Sequence, residues 1–166
     1  MKRWKIKEIL KEVGITLIMV LVVSLLMNHF RQPDTTHQPK SMKVTLTTGD
    51  EVELFDTRRP TVIHFWGTWC PTCRFEAPNI ERLQSDEVHL VTVAVKSGSD
   101  QAIRAYMQKE GYSFPVVNDQ TGALASRFDV SVFPTTFIYD REWNLKFAEV
   151  GYSTTLGLKA RVELID

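Results

Sequence analysis

Cys70 and Cys73 are the two residues of this 166-residue chain best suited to do chemistry, and the sequence contains no other cysteine. There is therefore no spare thiol for a structural disulfide framework, and no second cysteine pair to complete a four-cysteine zinc site. Two intervening residues let the second thiol reach back to the first and close a disulfide. The spacing predicts thiol–disulfide exchange, in which Cys70 attacks a substrate disulfide and Cys73 resolves the mixed disulfide.

The elements around the cysteines support this chemistry. The nearly continuous apolar run Thr61–Trp66 predicts a strand buried on both faces, and a helix is predicted from about Pro71 to Gln84. A helix N-terminus offers unpaired N–H groups and a partial positive charge, which stabilise a thiolate on Cys70. Cys73, one turn into the helix, should be the more buried, and Pro78 should kink or interrupt the helix.

Two other interpretations of the cysteines stay open. They could be unrelated core residues, since free cysteine packs as a small apolar side chain. Alternatively, both thiolates could bind a soft metal such as copper(I). The strand-to-helix junction and the flanking Trp66 and Trp69, which we expect to pack around the site and form its rim, favour the redox interpretation.

The rest of the pattern from residue 43 predicts an α/β layered domain, with strands that alternate with helices and a closing hairpin. The expected strands are 44–46 and 52–54 as a hairpin, then 61–66, 88–95, 114–117, 135–139 and 146–150; further helices are expected from 100, over 123–128 and over 154–164.

The N-terminal region predicts a membrane anchor. Residues 13–30 carry no charge and would span about 27 Å as a helix, close to the hydrocarbon thickness of a bilayer. Basic residues dominate the preceding segment, so we expect residues 1–12 in the cytoplasm, 31–42 as an extended linker and 43–166 as a domain on the other side. A cleaved secretory signal is the alternative, but no small-x-small cleavage site follows the apolar run.

The charge distribution argues against nucleic acid as a partner. Residues 1–40 hold seven of the 20 basic and three of the 20 acidic residues, so residues 41–166 hold 13 basic and 17 acidic residues, a net charge of −4. A mildly acidic domain has no electrostatic attraction for a phosphate backbone. Nothing in the sequence suggests an organic cofactor or a metal site other than the two thiolates.

Two segments carry a family resemblance. The stretch Phe65–Pro78 resembles the active-site segment of thioredoxin-like proteins of the TlpA, DsbE and ResA type, and Val132–Phe137 resembles their loop with a cis-proline. The resemblance covers about residues 43–166 and implies a thioredoxin-like fold. That fold has a central mixed sheet flanked by helices and an N-terminal β-hairpin, here preceded by one transmembrane helix. The basic N-terminus, the anchor and Cys73-Arg74-Phe75 are most similar to the copper-sensitivity suppressor D branch.

The resemblance also implies roles for residues near the cysteines. Pro134 is expected to follow a cis peptide bond from Phe133, to lie beside Cys70 and to offer backbone groups to a substrate chain. The alternative for Pro134 is an ordinary edge-strand proline. The implied substrate contacts are Trp69, Pro71, Thr72, Phe133 and Thr135.

Two ionisable residues are further candidates. Glu76 matches the acidic residue that the family places three positions after the second cysteine for proton transfer; the alternative is a solvated helix glutamate. His64 departs from the family, which carries Asp or Asn six residues before the first cysteine. It could accept the proton of Cys73 near neutral pH, or it could be a strand histidine whose ring bonds a backbone carbonyl.

The expected function is exchange between the cysteine pair and protein thiols or disulfides outside the cytoplasm. The resemblance implies a single-pass protein of the bacterial inner membrane, with a monomeric catalytic domain in the periplasm, and a reductant recharged by a membrane electron carrier of the DsbD type. Proline directly after Cys70, however, is found in strong oxidants. An oxidase or isomerase of secreted proteins and a copper(I)-handling protein therefore remain alternatives, and a thiol peroxidase is also conceivable on this fold.

Overall fold

The apolar run Thr61–Trp66 forms the central strand of a five-stranded sheet in the structure, a computed structural model. The structure describes residues 11–20, 22–23, 42–56 and 58–165. The chain divides into two units, Met1–Gln32 and Pro33–Asp166. The strands of the second unit are β1 Lys43–Thr45, β2 Glu51–Glu53, β3 Thr61–Trp66, β4 His89–Val95, β5 Val116–Asp119, β6 Thr135–Tyr139 and β7 Leu145–Val150; its helices are α1 Pro71–Glu81, α2 Asp100–Glu110, α3 Ala123–Arg127 and α4 Thr155–Glu163.

The sheet has the strand order β5-β4-β3-β6-β7 and is mixed. Strands β3, β4 and β5 are parallel, whereas β6 is antiparallel to both β3 and β7. Every residue of β3 is buried, as expected for a strand covered on both faces. The order and directions are those of a thioredoxin-like fold, so the predicted fold class is confirmed for this unit.

The alternation of side chains along β3 separates two apolar cores. Val62 and Trp66 pack on the face covered by α1, together with Cys70 and Cys73. Ile63 and Phe65 pack on the other face, with residues of α3 and of the hairpin. Because successive side chains of a strand point to opposite faces, His64 lies on the α1 face.

The predicted N-terminal hairpin is also confirmed. β1 and β2 pair in antiparallel fashion, and the turn between them uses Gly49 at a φ of 97°, which favours glycine. Leu46, just after β1, forms a bridge to Val117. The hairpin therefore covers part of the edge strand β5.

The predicted bounds of most elements differ from the structure by one residue, and those of α1 and β5 by two or more; β5 ends at Asp119, two residues beyond the predicted Val117. Helix α1 continues through Pro78 and ends at Glu81, after which Leu83 N–H bonds Ile80 O in a tighter turn. Strand β5 begins at Val116, not Phe114, because Pro115 has no N–H to donate to the ladder.

The predicted anchor lies mostly outside the described residues. Residues 11–20 and 22–23 are helical, and none of the helical stretches that the structure describes is long and apolar enough to cross a bilayer. Residues 1–10, 21 and 24–41 are not described, so the anchor over 13–30 and the linker over 31–42 stay predictions.

Candidate active site

Cys70 and Cys73 are joined by a disulfide at the N-terminus of α1, with Cα atoms 5.3 Å apart. Cys70 is the N-cap of the helix, and its Sγ accepts a hydrogen bond from the backbone N–H of Cys73 at 3.2 Å. Pro71 occupies the first helical position, where a missing N–H costs nothing. In the reduced protein the same N–H groups and the helix dipole would stabilise a thiolate on Cys70.

The two sulfur-bearing side chains are both buried, Cys70 with 5% and Cys73 with 2% of its surface exposed. The prediction that Cys73 is the more buried is confirmed, although the difference is small. Pro71 and Thr72, between them, are exposed. A substrate therefore meets the disulfide at the first turn of the helix.

The loop before β6 lies at the same end of the sheet as the cysteines. The Phe133–Pro134 peptide bond is cis, as the family resemblance implied. Thr135 pairs with Phe65 near the end of β3, and Pro134 O accepts a hydrogen bond from Gly151 N–H at 2.8 Å. Thr135 is buried as a whole residue, lies between β3 and β7 in the sheet, and its side chain donates to Val132 O. The expected contact between Thr135 and a substrate is therefore wrong.

Trp69 joins this loop to the cysteine helix. Its ring centroid lies 5.4 Å from that of Phe133, edge to face, and its Nε1–H donates to Val95 O at 3.0 Å. The indole rests on Gly67, where a Cβ would lie only 2.6 Å from the ring. Trp69 is nevertheless 54% exposed, whereas Trp66 is buried. Trp69 thus forms the rim of the site and Trp66 its support.

A groove of about 450 Å³ opens beside this rim. Lys96 and Asp129 line it and both adopt positive φ angles, 48° and 52°, which non-glycine residues rarely do. Its walls are otherwise largely apolar, so the groove can receive a side chain of a bound polypeptide. The remaining lining residues are Trp69, Val95, Gly122, Ala125, Ser126, Val130, Ser131 and Phe133.

Glu76 is fully buried on the α1 face, one helical turn beyond Cys73. Its Oε1 accepts a hydrogen bond from Ser153 N–H at 3.1 Å, and its Oε2 has no partner among the described residues. Burial raises the pKa of Glu76 to about 8; the Ser153 N–H opposes this rise and the negative charge of Glu149 adds to it. The solvated-glutamate alternative is therefore wrong.

His64 is buried in β3 beneath α1, and its Nδ1 lies 2.9 Å from the Thr136 hydroxyl. The imidazole ring of His64 thus bonds a side-chain hydroxyl. The predicted alternative, a hydrogen bond to a backbone carbonyl, is not what the structure shows at Nδ1. Burial lowers the pKa of His64 to about 3, so the ring is neutral at physiological pH.

The hydrogen-bond partners of Glu76 and Asn79 belong to no motif and could not be predicted from the sequence. Ser153 lies 77 residues from Glu76, and Asn79 reaches Tyr152 and Ser153 over similar separations. Within the described part of the chain, no group of three or more His, Cys, Asp or Glu side chains is placed to hold a metal ion.

Comparison with known proteins agrees with this geometry. The model of the AhpC/TSA family matches residues 35–148. A thioredoxin-like protein of Haemophilus influenzae is 30% identical over 161 residues, 95% of each chain. The thiol-disulfide oxidoreductase ResA of Bacillus subtilis is 37% identical over 101 residues, 58% of this chain and 56% of ResA.

The crystal structure of StoA from Bacillus subtilis superimposes with a TM-score of 0.68 at 25% identity, over 75% of this chain and 98% of StoA. The chain therefore belongs to the AhpC/TSA family and is a thioredoxin-like thiol–disulfide oxidoreductase of the ResA and StoA type.

Proposed function

We propose that this protein is a membrane-tethered reductant of protein disulfides outside the cytoplasm. The observation that carries the proposal is the position of Cys70: its sulfur caps α1 and accepts the Cys73 N–H, beside a loop with a cis-proline. This arrangement favours a thiolate on the cysteine that a substrate can reach.

The reaction is a pair of thiol–disulfide exchanges. The Cys70 thiolate attacks one sulfur of the substrate disulfide, forming a mixed disulfide and releasing the other sulfur as a thiolate. The Cys73 thiolate then attacks Cys70, which closes the Cys70–Cys73 disulfide and releases the second substrate sulfur. The substrate gains two electrons and, from its surroundings, two protons; the cysteine pair loses two electrons.

Glu76 is proposed to take the proton of Cys73 in the second exchange. Both residues belong to the buried face of α1, and Oε2 of Glu76 has no competing partner among the described residues. Because the pKa of Glu76 is raised to about 8, near that of a thiol, proton transfer between the two groups is close to balanced.

The substrate chain is proposed to lie along the loop that contains Pro134, with backbone hydrogen bonds to residue 133. Exposed apolar side chains occur in the segments next to the cysteines, the proline loop and Gly151, and a group of such side chains is typical of an interaction site. They are Trp69, Phe75, Val132 and Tyr152, with Pro71 and Thr72 on the exposed helix turn.

The proposed location rests on the N-terminal sequence pattern, and the proposed partners rest on that location and on the family resemblance. The uncharged segment 13–30 would anchor the chain in the bacterial inner membrane and residues 31–42 would link it to a monomeric periplasmic domain. A reductant in an oxidising compartment needs a supply of electrons, for which we propose a membrane electron carrier of the DsbD type. Membership of the copper-sensitivity suppressor D branch would make copper-damaged proteins one substrate class.

The reduction potential of the Cys70–Cys73 disulfide tests the direction of transfer. The full chain would be equilibrated with glutathione or dithiothreitol mixtures, and its redox state would be followed by tryptophan fluorescence, to which Trp66 and Trp69 next to the cysteines contribute. A potential at or below about −230 mV is expected for a reductant. A potential of about −120 to −180 mV would contradict the proposal and favour an oxidase or isomerase.

A further inference from the structure

His64 sits in a row of polar side chains that crosses the sheet beneath the cysteine helix. In the strand register, His64 lies directly between Thr92 of β4 and Thr136 of β6. Directly opposed residues point to the same face of a sheet, so all three face α1. Each is at least 98% buried.

The Thr92 hydroxyl is already committed to other groups. It accepts a hydrogen bond from Trp66 Nε1–H at 3.1 Å and donates to Pro115 O at 2.8 Å. Thr136 is therefore the member of the row to which the imidazole bonds, at 2.9 Å. This bond joins β3, whose end leads to Cys70, with β6, whose start follows Pro134.

We infer that His64 is a positioning residue whose hydrogen bond to Thr136 holds the cis-proline loop in place relative to Cys70, and that it is not the proton acceptor for Cys73. The inference rests on the proposed function, because it assumes that substrate chains bind along that loop. It assigns the histidine to substrate alignment and leaves proton transfer to Glu76.

The surroundings of His64 oppose a proton-accepting role. Taking a proton would create a buried imidazolium, and His64 has no salt-bridge partner among the described residues. Glu76, whose pKa burial raises to about 8, is mostly uncharged at pH 7. The neighbours from β4 and β6, Thr92 and Thr136, do not titrate. Titratable or charged groups on the other elements around this core include Cys70 before α1, Cys73 and Glu76 of α1, Tyr106 of α2, Tyr112 after α2, and Glu149 of β7, which is paired with Arg161 of α4.

Three variants separate the two roles. H64N puts an amide near the position of Nδ1, so it can still bond Thr136 but cannot take up a proton at neutral pH. H64A and T136A each remove the bond. We expect H64A and T136A to raise KM for a disulfide-containing peptide by about twofold to tenfold, with a smaller change in kcat, since one hydrogen bond is lost.

The double variant H64A/T136A should lose no more than the worse single variant, because both remove the same bond. H64N should keep the pH profile of the wild-type rate. A flat pH profile in H64N, or a much larger loss in H64A than in T136A, would overturn the inference.

Nuclear magnetic resonance of the wild-type full chain decides the question even if the variants do not fold. The ring signals of His64, assigned by their loss in H64N or by sequential connectivity, should stay constant from pH 5 to 8 in both redox states. A titration of the ring near neutral pH in the reduced protein would overturn the inference. This readout needs no substrate, so it is distinct from a failure of the proposed function, which would show as wild-type protein that exchanges no disulfides.

Discussion

The two ends of the central sheet hold their buried ionisable side chains in opposite ways. At the redox end, defined by Cys70, Cys73, Glu76 and Pro134, the Glu76 carboxyl has one hydrogen bond and no cationic partner among the described residues. At the opposite end, defined by Asp56 and Asp140, both carboxylates are fully engaged. Asp56 accepts hydrogen bonds from Arg58 and Arg59, and Asp140 from Asn144 and Lys146.

The pKa values of the two ends differ accordingly. Burial raises the pKa of Glu76 to about 8, because the single hydrogen bond from Ser153 N–H only partly compensates the loss of solvent. Burial would also raise the pKa of Asp56. Hydrogen bonds from Arg58 and Arg59 outweigh this effect and lower the pKa to about 2. Well-paired carboxylates stabilise the fold, whereas a buried carboxyl with a single hydrogen bond can exchange a proton near neutral pH. This contrast separates the reactive end from the structural end.

The largest expected effect comes from Cys70→Ser. Removing the attacking sulfur should reduce disulfide exchange to the uncatalysed rate, measured by reduction of a peptide disulfide. Cys73→Ser is the matched control: it keeps the attacking thiolate and should accumulate the mixed disulfide, visible by mass spectrometry. Equal trapping by both variants would contradict the assigned order of attack.

Glu76→Gln should have the next largest effect, on both rate and stability. Between pH 4.5 and about 8 the folded protein holds a proton that the unfolded chain releases. The free energy of unfolding of the wild type therefore falls as pH rises through this window, by at most about 1.4 kcal/mol per pH unit. Glutamine stays neutral, so E76Q should lose this slope and be the more stable protein at pH 8.

The rate of E76Q tests the proton-transfer role separately. Resolution by Cys73 should rise with pH up to about 8 in the wild type, as the carboxylate form appears, and E76Q should lose this rise and be slower. Stopped-flow measurement of mixed-disulfide decay at several pH values checks this. An unchanged pH profile in E76Q would remove Glu76 from the mechanism.

At the opposite end, Asp56→Asn should cost about 1 to 3 kcal/mol of stability, because the arginine partners lose a buried acceptor. Asp56 stabilises the fold above pH 3.8, and this contribution is lost as pH falls toward 2. The difference between D56N and wild type in urea unfolding should therefore shrink below pH 4. The rate of disulfide exchange at neutral pH should not change. A large loss of activity in D56N would contradict the claim that the Asp56 end of the sheet is structural and not reactive.

Gly67→Ala should have the smallest effect. The new Cβ would lie 2.6 Å from the Trp69 ring, which must swing away and lose its bond to Val95 O. Because Trp69 is half exposed, little stability should be lost. We expect a change in tryptophan fluorescence and a modest rise in KM for a peptide disulfide; an unaltered spectrum would contradict the packing of Trp69 on Gly67.

Much of the fold follows from local sequence pattern. The apolar run of β3 and the strand β6 were predicted with the observed bounds, since both are bounded by clear turn or helix signals. The end of α1 was not predicted correctly, because the residues of the turn after Glu81 are also compatible with a helix. The start of β5 depends on Pro115, which has no N–H for the hydrogen bonds between β5 and β4. Which residues of β5 pair with β4 is known only from the structure.

The site could be predicted only where its residues are close in sequence or match a motif. Cys70, Cys73 and Pro134 were found this way, and the disulfide and the cis bond before Pro134 agree with the expectation. Thr136 and Ser153 were missed because their partners His64 and Glu76 lie 72 and 77 residues away. Their contacts depend on strand register and on the loop after β7, for which the sequence offers no short-range signal.

The most direct test of the account is the pH dependence of cysteine alkylation in the reduced full chain. The rate of reaction with iodoacetamide would be followed by mass spectrometry at each cysteine between pH 4 and 10. We predict that Cys70 titrates well below about 8.5, the ordinary pKa of a thiol, and that the buried Cys73 reacts slowly and only at higher pH. Two thiols that titrate together near 8.5 would contradict the claim that the N-terminus of α1 activates Cys70.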